Sequence, residues 1–313
     1  METILITDVA SVVGANVAAS LSGRYRVVGL SSSSPISIGG CESVLLRGTD
    51  SNSIRLGLAS VRPQWIVYCA MPAQSAWHDS ETCWSQTQAI DTAGDWAAAA
   101  TETGCSLTMI SSDAVFTGPW MFHDEHSGGA CQSERARAIR AIEQTVLHHC
   151  PSALVARTNT YGWAPTAAGA GWVEQTLSAL EAGNAGPYDC HRYATPILAT
   201  DLAEILESAY RAGLSGVYHV AGAERVNPAL FVQHLADRFG FPAPRSAPVR
   251  SLSEPRTGFG CGETSLQTTA IRKALAIAMP TLAEGLNRLC EQHQNGYRDL
   301  FESSSPVLRD KVA

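Results

Sequence analysis

The chain has 313 residues, a net charge of −7 and only 16% charged side chains, a length that suits one large α/β domain, or a nucleotide-binding domain carrying a smaller lobe, with a well-buried core. Its cations are mostly scattered arginines, with two lysines in all, Lys273 and Lys311; no basic stripe is present to neutralise a phosphate backbone, which excludes nucleic acid as a partner. Met1-Glu2-Thr3 runs straight into an apolar segment without a cationic leader, and no apolar stretch approaches the roughly 20 residues of a membrane span, so a soluble, cytoplasmic protein without membrane contact is expected.

In chain order, Ile4-Leu5-Ile6 reads as a short strand, residues 13–21 as a helix and the β-branched run 25–30 as a second strand. The rhythm continues with a strand at 43–46, a polar helix at 51–60, a strand at 65–69, an Ala-rich helix at 92–103 and a strand at 106–110. A helix over 134–149, halted before Pro151, and a strand over 153–157 complete the first half. Strands alternating with helices of this length predict an α/β fold, a doubly wound parallel sheet of the Rossmann-like kind, with ligands beyond the carboxyl ends of the strands.

After Arg157 the rhythm loosens into Gly-, Ala- and Pro-rich stretches with helices expected at 172–182, 201–212, 229–239 and 281–290, and a further core strand at 217–220. The expected division is a nucleotide-binding domain over 1–158, to which segments near 190–222 return, a smaller C-terminal substrate lobe over most of 159–300, and a tail over 301–313. Residues 245–262 read as a surface loop. The nine cysteines are widely spaced, form no C-x-x-C, and read as core or surface thiols in a reducing compartment.

Several segments together carry a family resemblance: Ile4-Leu5-Ile6-Thr7 with Gly14, Ile110-Ser111-Ser112-Asp113-Ala114-Val115-Phe116-Thr117-Gly118, Glu143-Gln144, Arg157-Thr158-Asn159, Tyr193-Ala194-Thr195-Pro196 and Asp201-Leu202-Ala203. Gly213-Leu214-Ser215-Gly216-Val217-Tyr218-His219-Val220-Ala221-Gly222, the most specific of them, and Ser265-Leu266-Gln267-Thr268 follow in order. The chain resembles the dTDP-4-dehydrorhamnose reductase family of extended short-chain dehydrogenases/reductases. That resemblance implies the fold and a cleft shaped for a nucleotide sugar; activity is a matter for the site.

The family's first turn is Thr-Gly-x-x-Gly-x-x-Gly, whose glycines let the backbone approach a cofactor pyrophosphate at a helix N-terminus. Here Asp8 and Ser11 replace two of the glycines and Gly14 remains. A carboxylate about 4–5 Å from a phosphate repels it by roughly 3–4 kcal/mol at an effective dielectric near 20. In the alternative reading Asp8 turns outward as a helix N-cap and Ser11 hydrogen-bonds the phosphate. Ser31, the first of four serines closing the second strand, with Cys69 and Ala70 at the end of the fourth, completes the cofactor-binding set that the resemblance implies. No acid or arginine there marks NAD(H) or NADP(H), either of which is the cofactor if the altered loop still binds one.

Reductases of this class donate a proton from a tyrosine while a lysine one helical turn later lowers its pKa. Aligning Glu143-Gln144 with the family's helix puts Arg135 at the tyrosine position and Ile139 at the lysine position; between Cys69 and Thr160 the chain has no tyrosine and no lysine at all. A guanidinium is a poor proton donor at neutral pH and isoleucine carries no charge. Arg135, Arg137 and Arg140 either bind an anion or form a solvated helix face. Ser112 matches the family's substrate-binding serine or threonine, and is either a ligand contact or a turn residue. The substrate set implied is Ser112, Asp113, Asn159, Arg192 and Thr195. Tyr161, Tyr193 and His191 are the groups able to take over proton transfer from another direction. His123-Asp124-Glu125-His126 carries four consecutive metal-ligand types, which cannot easily converge on one ion, and reads as a polar surface loop with no metal.

Three functions follow: a non-catalytic nucleotide, nucleotide-sugar or dinucleotide binder acting through a protein partner or in a homo-oligomer; a nucleotide-sugar oxidoreductase or epimerase with relocated catalytic groups; and a structural protein with a vestigial cleft.

Overall fold

The computed structural model describes residues 1–31, 36–46, 48–69, 77, 85–165, 171–184, 186, 188–242, 244 and 260–301. Seven parallel strands form one sheet: β1 (Thr3–Ile6), β2 (Arg26–Ser31), β3 (Cys41–Leu45), β4 (Trp65–Tyr68), β5 (Ser106–Ser112), β6 (Leu154–Thr158) and, past a two-residue strand pair, β9 (Gly216–His219). Their spatial order is β3-β2-β1-β4-β5-β6-β9. The small pair is β7 (Thr160–Tyr161) with β8 (Ile197–Leu198), also parallel. The chain builds outward from β1 to β3, then crosses back to lay β4 on the other side of β1, so the crevice between the carboxyl ends of β1 and β4 is the topological switch point where doubly wound sheets bind ligands.

Both faces of the sheet are buried, as parallel sheets require. Successive residues of β1 serve opposite cores: Ile4 and Ile6 join Val27, Trp65, Val67, Ile110 and Ala156, whereas Leu5 joins Val28, Ile66, Tyr68, Met109 and Val155. On the first face lie α1 (Val12–Leu21) and α6 (Ala199–Arg211), packed on each other; on the second α2 (Ser51–Val61), α3 (Gln86–Thr103) and α4 (Glu134–His149) do the same. α5 (Trp172–Glu181), α7 (Pro228–Phe239), α8 (Thr269–Leu275) and α9 (Leu282–Gln294) complete the chain, α7 packing on both α5 and α9.

Local chemistry sets the helix ends. Ser11, Asp50, Ser85, Ser133 and Asn227 accept backbone N–H groups of their first turns, Thr281 and Glu284 form a capping box, and Gly104 and Gly240 end α3 and α7 in the left-handed conformation. The third helix starts six residues before the expected 92 because Ser85 caps a polar, exposed first turn that carries no apolar signal. α8 and the β7–β8 pair fall below sequence detection for their shortness. Residues 245–259 and 302–313, read as loop and tail, lie outside the described residues. Among the described residues no helix is long and apolar enough to cross a membrane.

Candidate functional site

The β1–α1 turn holds the first half of the site. Asp8 sits there with φ +50°, a left-handed backbone that favours glycine and that an aspartate adopts at a cost. The turn is closed by the Asp8 carbonyl, which accepts both the Ser11 N–H (3.0 Å) and the Ser11 hydroxyl (2.8 Å), while Ser11 Oγ accepts the Gly14 N–H at 3.0 Å. A side chain at position 14 would lie 2.4 Å from the Asp8 carbonyl oxygen, so the surviving glycine is required by the turn itself. The N-cap of α1 is therefore Ser11 and not Asp8, which corrects the alternative in which Asp8 capped the helix: Ser11's hydroxyl proton is spent on the turn.

Asp8 is left with a carboxyl that burial alone pushes up to about 6. Its charge is felt by Tyr68 and Cys69, whose own ionisation burial and this carboxylate push upward, so the group acts toward the β4 side of the turn, at the switch point. The Cys69 N–H donates to Thr7 Oγ1 (2.9 Å), tying the ends of β1 and β4 together. Ser31 is buried at the end of β2, its carbonyl accepting the Leu46 N–H. Ala70 and Ser32 to Ser34 lie outside the described residues. The residues present do not fit a dinucleotide at neutral pH, because a half-buried carboxyl without a described cation stands on the turn where a pyrophosphate needs an uncharged backbone.

The second half lies at the carboxyl ends of β5 and β6. Ser112 is fully buried and caps the short turn Asp113–Val115, its Oγ accepting the Ala114 N–H at 3.1 Å. Asp113, also fully buried, accepts Asn159 Nδ2 (2.8 Å) and Thr264 Oγ1 (2.6 Å) on Oδ2. Thr195 is buried and accepts the Leu266 N–H. Asp113 and Asn159 thus meet in one buried network with Thr264, a residue that sequence reasoning passed over although Ser265-Leu266-Gln267-Thr268 beside it carried the resemblance, while Thr195 is bonded to Leu266. Arg192 pairs with Asp189 at 3.2 Å.

Beneath it, Glu143 takes a bidentate ion pair from Arg157 (2.9 and 2.7 Å) and the Ser111 hydroxyl at 2.6 Å, all in the interior. The Arg157 guanidinium lies over the Phe116 ring, which stacks on His123 and meets His219 edge-on. His219 Nδ1 bonds the His123 carbonyl (2.9 Å), and burial, with Arg157 adding to it, pushes His219 down to about 3. His123 is 2% exposed, which corrects the reading of residues 123–126 as a surface loop. Asp124 and His126 do face solvent, while Glu125 accepts the His219 N–H. Among the described residues no three His, Cys, Asp or Glu side chains group to hold a metal ion.

Ile139, at the lysine position, is 1% exposed in a small apolar cluster with Val115, Phe116, Ala221 and Leu266. Arg135, at the tyrosine position, is half-buried, and burial lowers its pKa. Arg140 does not belong to a solvated or anion-binding face: its Nη1 donates to the Val115 and Cys131 carbonyls, while Arg137 is exposed. Tyr161 is 2% exposed, packs edge-on against Phe231, and its hydroxyl stands so close to Gly285 of α9 that a side chain there would clash with it. Burial raises its ionisation far above the ordinary range. Tyr193 carries the Arg225 guanidinium 3.6 Å above its ring, and Arg225 in turn pairs with buried Glu263. His191 is half-buried, its N–H on Asp189.

Comparison with known proteins places this geometry. The chain shares 28% identity over 203 residues with the probable low-salt glycan biosynthesis reductase Agl14 of Haloferax volcanii, an alignment covering 63% of this chain and 66% of that relative's length. Its fold matches dTDP-4-dehydrorhamnose reductase of Bacillus anthracis, solved with NADP, at a TM-score of 0.76 and 20% identity over 93% of this chain and 98% of that one. The Bordetella bronchiseptica enzyme WbmG, solved with NAD and UDP, matches at 0.76 and 16% identity over 97% and 99%. UDP-glucose 4-epimerase of Thermotoga maritima, solved with UDP-glucose, matches at 0.74 and 17% over 94% and 99%. Residues 1–295 match the model of the RmlD substrate binding domain family, and the chain belongs to that family, among the dTDP-4-dehydrorhamnose reductase-like extended short-chain dehydrogenases/reductases.

Proposed function

We propose that this chain is a non-catalytic member of its family, binding a nucleotide or nucleotide sugar in the retained cleft and working through a protein partner or as a subunit of a homo-oligomer in the cytoplasm. The observation that carries this reading is the apolar burial of Ile139. A hydride-transfer site of this class needs a cation one helical turn from its proton donor, and the position is instead closed by Val115, Phe116, Ala221 and Leu266.

The remaining groups support the same reading. Arg135 has no proton to give at neutral pH, and Tyr161 is sealed against α9. Ser112 and Asp113, the remnants of the catalytic strand end, are engaged in a turn and in a cross-link between β5, β6 and Thr264. Relatives of this fold were solved with NADP, with NAD and UDP, and with UDP-glucose, which favours a nucleotide-bearing ligand for this cleft also.

The test is an assay of NADPH and NADH oxidation with dTDP-linked 4-keto sugars, run beside the Ser112→Ala variant, together with calorimetric titration of UDP-glucose and dTDP-glucose. Heat of binding without oxidation above the variant's rate is expected. Turnover above that rate, abolished by Tyr193→Phe or His191→Ala, would establish the oxidoreductase with relocated groups instead. Absence of heat from either nucleotide sugar would leave the structural role.

A further inference from the structure

The amino edge of the sheet, opposite the candidate site, holds a groove of its own. β5 runs from Ser106 to Ser112, so its two ends stand about 20 Å apart, and the groove lies at the Ser106 end. Its walls are the ends of three helices: Ala100, Thr101 and Gly104 close α3, Pro151 and Ser152 follow α4, and Gly213 and Leu214 follow α6. All of its lining residues are among the described ones. Its volume, about 370 Å³, is that of a small-molecule site.

The lining selects by charge and by hydroxyl. No Asp, Glu, Lys, Arg or His lines the groove. Helices carry the negative ends of their dipoles at their C-termini, so the three that border it disfavour a phosphate or a carboxylate. With no carboxylate in the lining, an ammonium held there would go unpaired. Hydroxyls, by contrast, are plentiful and differ in what they offer. Among the described residues no group bonds the hydroxyl of Ser106, an exposed residue. Thr108 Oγ1 accepts the Trp65 indole N–H at 2.9 Å and keeps its own proton to donate. Thr101 Oγ1 donates to the His149 carbonyl at 2.8 Å and keeps its lone pairs to accept. Ser152 adds a further exposed hydroxyl.

Tyr210, half-buried, brings an aromatic ring. One face stacks on Trp65 with centroids 4.5 Å apart, so the groove receives its other face or its edge. The Cys105 thiol donates to the Pro63 carbonyl at 2.8 Å, which commits it to the fold and leaves the groove to binding without nucleophilic chemistry. Donors beside acceptors, an aromatic surface and no charge suit a sugar, whose hydroxyls each donate and accept and whose C–H faces pack on a ring. We propose that this groove is a second ligand site, for a neutral sugar of monosaccharide size, separate from the nucleotide cleft. Nothing in it requires the cleft to be occupied.

The experiment is amide proton–nitrogen NMR of the full chain, titrated separately with D-glucose, D-mannose, glucose 1-phosphate and glucosamine. Saturable shifts at the amides of Gly104, Ser106, Ser152 and Gly213 are expected with a neutral sugar in the millimolar range. Glucose 1-phosphate is expected to bind about tenfold more weakly, because three helix ends act against its phosphate. Ser152→Trp, at an exposed turn position, fills the groove and is expected to abolish the shifts. Ser106→Ala removes one uncommitted hydroxyl and is expected to weaken binding several-fold. Thermal melts establish that each variant is folded.

Absence of a saturable shift at these amides with either neutral sugar overturns the site. So does equal or tighter binding of glucose 1-phosphate or glucosamine, or neutral-sugar binding that is unchanged in both folded variants. Repeated with UDP-glucose in excess, the same neutral-sugar shifts are expected. Their loss by competition would merge the groove with the nucleotide cleft and overturn a second site.

Discussion

At the carboxyl edge of one sheet two aspartates sit two strands apart, Asp8 after β1 and Asp113 after β5. Asp113 is fully buried and accepts from Asn159, Thr264 and, at 3.4 Å, its neighbour Ser112, the first two drawn from distant parts of the chain. Asp8 is half-buried on a left-handed backbone, and no described side chain donates to its carboxyl. A buried polar group with partners builds a unique structure, whereas one without them costs stability and is retained only where something else uses it. The comparison separates an aspartate held by donors, after β5, from one without a described donor, after β1.

The strongest way to break this contrast is through the side that holds Asp113. Glu143→Ala leaves the Arg157 guanidinium buried without its bidentate partner, and a loss of about 3–5 kcal/mol in denaturant unfolding is expected. A loss below about 1 kcal/mol would place this pair among the ordinary surface bridges. His219 sharpens the same side through pH. Its folded-state ionisation lies far below the ordinary 6.5, at about 3, so its contribution is whole above that ordinary value and drains away as pH falls toward 3. Stability is expected to fall by a few kcal/mol over this window, and His219→Gln is expected to flatten that limb. An acid limb of equal steepness in the variant would assign the loss to carboxylates.

The Asp8 side predicts a smaller effect of opposite sign. The Asp8 carboxyl titrates above its ordinary 3.8. Its favourable contribution is therefore complete below that value and lost as pH rises through about 6. Asp8→Asn, which tolerates the left-handed backbone, is expected to raise stability by about 2 kcal/mol near neutral pH and by almost nothing near pH 4. Equal stability of variant and wild type at both would mean that Asp8 has reached water.

Much of the molecule was legible before its structure. The alternation of apolar runs with helix-length segments announced the doubly wound sheet, and the helix over 134–149 lies within its expected bounds because Ser133 and Cys150 punctuate it locally. The replacements at positions 8, 11, 135 and 139 are plain on inspection. Their consequences were not. Thr264 reaches Asp113 across 151 residues, and no periodicity carries information over that distance. His123 shares a polar tetrad with exposed neighbours, yet its ring is drawn inside by stacking on Phe116, a contact that exists only once residues 129–131 fold back on residues 115–117.

What the sequence by itself determined is therefore the fold, the family and the absence of a tyrosine–lysine pair, since these reside in local spacing and residue identity. Which hydroxyl caps α1, where the lost lysine's successor packs, and which of two aspartates is left without a partner among the described residues were decided by tertiary structure. Each depends on atoms that only folding brings within a few ångströms, and hydrogen bonding and desolvation act over no longer range.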